Sequence, residues 1–545
     1  MSINIDDMET EFIKYPVGYQ DFKAIREEDF LYVDKTALIY RLVKTSKYVF
    51  LSRPRRFGKS LLTSTLHYYF EGCKELFQGL AMEKLEADWI QYPVLHFDLG
   101  QVKEFTIERL QEALNDMLDR HDDSFGITTS GTPGRRLKML FSELYKKTGR
   151  QVVLLVDEYD APIMDVLHKP DMLREVRNVM REFYASLKAN ERYLKFVFIT
   201  GVSTFSQMGI FSELNNLDVI TNSNDYAAIC GITEQELRDN FMPGIEKMAQ
   251  TCMCTKEEAL ARLKDKYDGY HFTENLVDIY NPFSLIKALK ESKPGNYWFD
   301  TGTSASLVNA LQNYVGDFSL DLTDIDSGKW FEQGDFVRSL EDHANIIPLL
   351  YQTGYLTIKG YNRNSELYLL GMPNAEVRVG LLKNLLPLYV DAQSSEVSAP
   401  AKMASADLRD GDIDHAMEIL RSVLKSIPYG KNESTIFSDL QTTEQYYHNL
   451  YHLFFKMLCD RVNSEVRNST GSTDVVITTP RFVYVIEIKI DTKVEVALNQ
   501  IDEKGYAVPY MAGECAVYKV GVVFSTKEKT LSEWKVVELK GETEE

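Results

Sequence analysis

Four short apolar runs separated by helical stretches constrain this chain more than any of its other features. Tyr48-Val-Phe-Leu51, Pro93-Val-Leu-His-Phe-Asp98, Val152-Val-Leu-Leu-Val156 and Phe196-Val-Phe-Ile-Thr200 are rich in strand formers. Helical stretches fall near 107–119, 135–147 and 171–189. This alternation predicts a doubly wound parallel α/β sheet whose strands are covered on both faces. At 545 residues the chain exceeds one ordinary core, and length alone suggests roughly three or four domains.

The first run leads into Arg53-Pro-Arg-Arg-Phe-Gly58-Lys59-Ser60, and a helix follows, with Leu61, Leu62, Leu66 and Tyr69 at helical spacing and Gly72 as its stop. Strand, basic loop and helix together form a phosphate-binding loop, because loop amides and the positive helix end converge on one point. Lys59 would neutralise β- and γ-phosphates, Gly58 would let the backbone approach them, and the Ser60 hydroxyl would hold Mg²⁺. Arg53 stands where the usual pattern has glycine, which removes an easy positive φ at that position. The bland alternative for this segment is a basic surface turn. Against it stands Val152–Val156, which ends in Asp157-Glu158: Asp157 is suited to Mg²⁺, and Glu158 to polarising the water that attacks a γ-phosphate.

Composition excludes several classes. The hydrophobic fraction of 44% and aromatic fraction of 12% are those of a folded globular chain. The acidic start lacks a secretory signal, and no apolar stretch approaches roughly 18 residues, so the expectation is a cytoplasmic protein without a membrane segment. Six scattered cysteines, without CxxC spacing, are expected as reduced thiols. A net charge of −20 weakens attraction to nucleic-acid phosphates, and residues 445–545, with 12 Lys+Arg against 15 Asp+Glu, are only slightly acidic.

The strand at 93–98, lying between the two phosphate motifs, resembles the AAA+ and STAND-like ATPases. That resemblance implies a polar residue at the end of the following strand that senses the γ-phosphate; Thr200 and Ser203 are the candidates, and Ser203 is favoured. Tyr32-Val-Asp-Lys35, Phe50–Ser60, Val156-Asp-Glu-Tyr-Asp160, Gly209–Asn216, Tyr267-Asp-Gly-Tyr270, Tyr280-Asn-Pro-Phe283, Tyr297-Trp-Phe299 and Leu350–Tyr355 sharpen it. Together they resemble the bacterial AAA-ATPase-like family with a C-terminal PD-(D/E)XK nuclease-like domain, in which an arginine at position 53 is usual. The resemblance implies nucleotide contacts from Arg53, Pro54, Arg55, Arg56, Phe57, Gly58, Lys59 and Ser60.

From about 231 to 440 the chain reads as mainly helical, opening on the capping-box pattern Thr233-Glu-Gln-Glu236. Tyr267, Tyr270, Trp298 and Tyr355 read either as a ligand surface or, more simply, as buried aromatics at helix junctions. The resemblance makes this region a lid and connector. Ala392 to Ala404 reads as an exposed loop. His448 and His452 lie four apart on a helical pattern without a third ligand, which favours packing over metal binding.

Near the C-terminus, Asp474-Val-Val-Ile477 and Phe482-Val-Tyr-Val-Ile-Glu487-Ile-Lys489 read as a hairpin turning at Thr478–Arg481. Glu487 and Lys489, two apart, share a face beside Asp474. Two carboxylates can hold Mg²⁺ or Mn²⁺ against a phosphodiester, and a lysine can position the attacking water. This is the PD-(D/E)XK, restriction-endonuclease-like arrangement; cross-strand ion pairing is the alternative. The resemblance adds Glu465, on a preceding helix, as a further metal-facing acid, and Gln500 on the following helix. Relatives often carry Gly-Arg-x-Asp where this chain has Gly471-Ser-Thr-Asp474.

The expected division is therefore an ATPase-like domain over 1–228, a helical connector over 229–440 and a nuclease-like domain over 441–545. The expected ligands are ATP, a divalent cation and DNA, with RNA and self-association left open. The rival expectation is an ATP-dependent switch whose nuclease-like domain does not cut.

Overall fold

The computed structural model describes residues 13–101, 106–167, 169–204, 216–298, 328–338, 346–381, 394–425, 462–468, 471–528 and 530–540. The chain divides into two compact units, Met1–Leu307 with Trp330–Glu376, and Val308–Lys329 with Val377–Glu545. The stretch 229–440 is thus shared between them. Part of Gly209–Asn216, together with His448, His452 and Cys459, lies outside the described residues.

In the first unit, β1 (Tyr48–Ser52) runs into the basic loop and α1 (Lys59–Phe70). There follow β2 (Val94–Asp98), α2 (Ile107–Phe125), α3 (Pro133–Thr148), β3 (Val152–Asp157), α4 (Pro170–Ala189), β4 (Leu194–Gly201) and the short β5 (Asp218–Val219). The strands pair in parallel in the order β2-β3-β4-β1-β5, so β4 lies between the loop strand and the acid strand. All residues of β1 and β3 are buried, which explains their unbroken apolar runs. The helices begin and end on local signals: Thr106 caps the start of α2, Pro133 opens α3, and Gly126 and Gly149 close them in left-handed conformation.

Beyond the sheet, α5 (Glu234–Thr251), α6 (Lys256–Tyr267) and α7 (Pro282–Glu291) pack around Leu237, Phe241, Leu263, Tyr267 and Tyr280. The capping box at Thr233 and Glu236 is formed. The region is not uniformly helical, however: β6 (Thr357–Asn362) and β7 (Leu367–Gly371) form an antiparallel pair. The intervening Asn-Arg-Asn-Ser-Glu supplies its turn, with Asn362 Oδ1 accepting from the Asn364 amide at 3.0 Å.

The second unit carries α8 (Ser394–Asp410) and α9 (Ile413–Lys425). Over 394–404, the described part of the stretch Ala392 to Ala404 that was expected as a loop, the chain forms a helix. Its alanines favour helix, and complete burial of Ala404 and Leu408 outweighs the amide lost at Pro400. The sheet follows in the order β8 (Val462–Asn468), β9 (Gly471–Thr478), β10 (Phe482–Ile490), β11 (Ala516–Ser525) and β12 (Thr530–Lys540). Only β10 and β11 pair in parallel, across α10 (Val494–Lys504). Glu465 therefore sits on a strand, not on the expected helix. Its segment satisfies its backbone by antiparallel pairing with β9, from Val462 opposite Ile477 to Asn468 opposite Gly471.

Among the described residues no helix is long and apolar enough to cross a membrane. Cys73, Cys230, Cys252, Cys254 and Cys515 are free thiols.

Candidate functional site

The basic loop leaves β1 and turns twice into left-handed conformation, at Arg56 (φ 68°) and at Gly58 (φ 91°), which caps the start of α1. The conformational burden expected at Arg53 falls instead on Arg56, where a non-glycine costs about 1–3 kcal/mol. Arg53 continues the pairing of β1 with β4, its amide donating to the Gly201 carbonyl at 3.2 Å. Its guanidinium is 1% exposed and donates to the carbonyls of Ser52 at 3.0 Å and Thr221 at 2.7 Å. Burial pushes its pKa down to about 10. These contacts make the Arg53 side chain a brace for the loop and give no support to a phosphate contact. Pro54 and Phe57 are buried, Arg55 is exposed and Arg56 half-buried.

Lys59 donates to the carbonyls of Arg53 at 2.9 Å and Pro54 at 3.0 Å. Burial lowers its pKa, and Asp157, Asp160 and Glu158 oppose that. The Ser60 hydroxyl acts to lower the pKa of the Asp157 carboxylate. Asp157 also accepts from the Glu158 amide at 2.9 Å, and burial raises its pKa. Burial raises Glu158 as well, reinforced by the Asp157 charge, and its backbone is left-handed (φ 49°).

Two acids that the sequence reading did not single out complete this region. Asp98 ends β2 in register with Asp157, and its charge raises both Asp157 and Glu158. A side chain at Gly100 would collide with the Glu158 carboxylate, so the turn after Asp98 passes directly against it. The signal was present, since β2 ends in an acid as β3 does. Asp160 accepts from the Val202 amide at 3.0 Å, from the Ser203 amide at 2.5 Å and from the Ser203 hydroxyl at 2.6 Å. Ser203 is thereby committed to Asp160, and its contacts give no support to γ-phosphate sensing. Thr200 donates to the Leu51 carbonyl at 2.7 Å.

Beside Gly58 lies a largely apolar cavity lined by residues that include Tyr32, Lys35, Phe57, Leu62, Cys230 and Pro282. Lys35 forms a 2.6 Å ion pair with Glu236, which ties the Tyr32–Lys35 segment to the capping box of α5.

In the second unit, the ladder between β9 and β10 runs from Thr478–Val483 to Val475–Ile486. One step further, Asp474 Oδ2 accepts from the Ile488 amide at 2.7 Å. Lys489 Nζ donates to Glu487 Oε1 at 2.7 Å. Glu487 is 1% exposed, its Oε2 has no partner among the described residues, and burial, reinforced by Asp474, pushes its pKa up to about 7. The three residues expected to converge are thus brought together. Gln500 is half-buried on α10. Among the described residues no three His, Cys, Asp or Glu form a ready cation cage. Two carboxylates with an unpaired oxygen nonetheless fit a divalent ion that keeps waters and shares a phosphate.

A family model described as predicted AAA-ATPase matches residues 16–211, and one described as PD-(D/E)XK nuclease superfamily matches 442–534. A protein of Azotobacter chroococcum mcd 1, described as an uncharacterized protein in the vnfD 5′ region, is 32% identical over 525 residues, covering 95% of this chain and 98% of the relative. Among solved structures, Drosophila ORC bound to GC-rich DNA and Cdc6 aligns over 84% of this chain and 76% of that one, at 10% identity. Its TM-score of 0.23 carries no structural argument.

Proposed function

The chain belongs to the bacterial family that joins a predicted AAA-ATPase domain to a PD-(D/E)XK nuclease-superfamily domain, and from that premise we propose that it hydrolyses ATP in its first unit and cuts nucleic-acid phosphodiesters in its second. The observation that carries the reading is that β4 holds the two halves of the phosphate site side by side: Gly201 accepts from the Arg53 amide at 3.2 Å, and Thr200 accepts from the Tyr159 amide at 3.1 Å. We assign nucleotide binding to 1–228, connection to 229–440 and cleavage to 441–545, in a cytoplasmic protein.

The purine base would enter the cavity beside Gly58, with its phosphates over the loop amides and Lys59. Ser60 and Asp157 would hold Mg²⁺, which supplies charge neutralisation to the phosphates. Glu158 takes the proton of the attacking water; its raised pKa brings the carboxylate closer to the operating pH, where a general base works best. In the second unit Asp474 and Glu487 would hold Mg²⁺ or Mn²⁺, and Lys489 orients the attacking water and stabilises the developing charge.

The test is cleavage of single-stranded, double-stranded and circular DNA, and of RNA, with either metal, with and without ATP. Cutting by wild type and not by Lys489→Ala supports the reading. The net charge of −20 and the absence of arginine in Gly471–Asp474 favour the rival, an ATP-dependent switch that binds a partner without cutting. Phosphate release that depends on Lys59, with no cutting under any condition, would select it.

A further inference from the structure

Five consecutive residues of the phosphate loop are each contacted by the aromatic-rich motifs far downstream. The Arg53 guanidinium lies 4.1 Å over the Phe272 ring. Pro54 sits against Gly354, where a Cβ would be 2.6 Å from that of Pro54 and the backbone is left-handed (φ 90°). The Arg55 carbonyl accepts from Trp298 Nε1 at 3.1 Å. Arg56 lies 3.9 Å over Phe283, and Phe57 packs edge-on against Tyr270 and Phe272 at 4.7 and 5.5 Å. Trp298 is itself fixed by Tyr355 and by its amide, which donates to Glu376 at 2.9 Å.

The same segment also holds the phosphate-loop lysine. The carbonyls of Arg53 and Pro54 hold Lys59, and Gly58 opens α1. Rotating any of these peptides would move the Lys59 anchor and the loop amides together. Ordinary core packing would spread contacts irregularly along the loop. Here every residue from 53 to 57 is contacted, by cation–π contact, hydrogen bond, ring packing or, at Pro54, close van der Waals approach, with Phe272 serving both Arg53 and Phe57. Arg53 in place of glycine then has a purpose, since a glycine there could not reach Phe272.

We propose that Phe272, Phe283 and Trp298 are positioning residues for the nucleotide phosphates, acting through the main chain of residues 53–57. This rests on the ATP reading above. The grip sets phosphate affinity and leaves the water-activating Glu158 untouched.

Trp298→Phe keeps a six-membered ring and removes the bond to Arg55 together with some buried volume; Phe272→Leu keeps apolar bulk and removes the cation–π contact and the ring packing on Phe57. Each should raise the KM for ATP about five- to tenfold, hold kcat within about twofold, weaken ADP alike and leave adenosine affinity unchanged. Arg53→Met combined with Phe272→Leu should raise KM by less than the product of the two single effects, because the pair shares the cation–π contact. Should Phe272→Leu fail to fold, Trp298→Phe alone decides. Unchanged ATP and ADP affinity in folded variants, or adenosine affinity falling in parallel, overturns the inference and leaves the ATP reading standing. Wild type that binds no ATP overturns both.

Discussion

At the loop of the first unit, Lys59 rests on two carbonyls and Asp157 accepts from the Glu158 amide. At the hairpin of the second unit, Lys489 satisfies one oxygen of Glu487, and the other has no partner among the described residues. Both sites place a lysine beside a buried acid, and they differ in what is left over. Lys59 is held by the chain's own carbonyls, so a bound phosphate would compete with contacts the chain already makes. The hairpin site retains a buried carboxylate oxygen whose isolation costs about 1–3 kcal/mol or more, a cost that a divalent cation would remove. A chain of one overall acidity thus holds one site suited to an anion and another suited to a cation.

The largest effect that could break this contrast is at Lys489. Lys489→Ala should reduce cleavage about a thousandfold while phosphate release stays as in wild type; a parallel loss of phosphate release would mean the two sites are not chemically separate. Glu158→Gln should slow phosphate release about a hundredfold and leave ATP affinity nearly unchanged. If ATP affinity collapsed instead, Glu158 would be holding the loop, not activating water.

Smaller effects sharpen the picture of the first unit. Lys35→Met leaves Glu236 without its charged partner and should cost about 1–3 kcal/mol in denaturant unfolding; no measurable cost would show the pair to be solvated. The smallest effect is a pH slope. Burial pushes Glu376 up to about 7, so the folded chain binds its proton more tightly than the unfolded chain does. The stability that this adds is complete below the ordinary carboxylate range and is lost as pH rises to about 7. Glu376→Gln, which keeps an acceptor for the Trp298 amide, should flatten unfolding midpoints between pH 5 and 7; an unaltered slope would assign it to other groups.

How much was legible in the sequence depended on whether a residue's role was set locally. The strands of the first sheet were legible because burial on both faces leaves unbroken apolar runs, as in β3. Glu487 and Lys489 were legible because alternation along one strand fixes their shared face. The antiparallel pair β6–β7 was missed although its Asn-rich turn was in plain view, because the surrounding text reads as helix. The helix at 394–410 depends on what Ala404 and Leu408 pack against, which no local pattern states. Asp98 comes beside Asp157 only through strand register, and the bond from Ser203 to Asp160 joins positions far apart in the chain. Arg53 was misjudged because the standard glycine pattern assumes that the turn lies at its first position, whereas here it lies at Arg56.

The bond between Trp298 and Arg55 joins positions 243 apart, and this sets a clock on the ribosome. At about 5–20 residues per second, synthesis needs roughly 12–50 s after Arg55 is made before its partner exists. Throughout that interval the nascent chain carries every residue of the phosphate motif but not the grip that fixes its shape. The growing chain would therefore acquire full affinity for nucleotide late, after its parallel sheet has been completed.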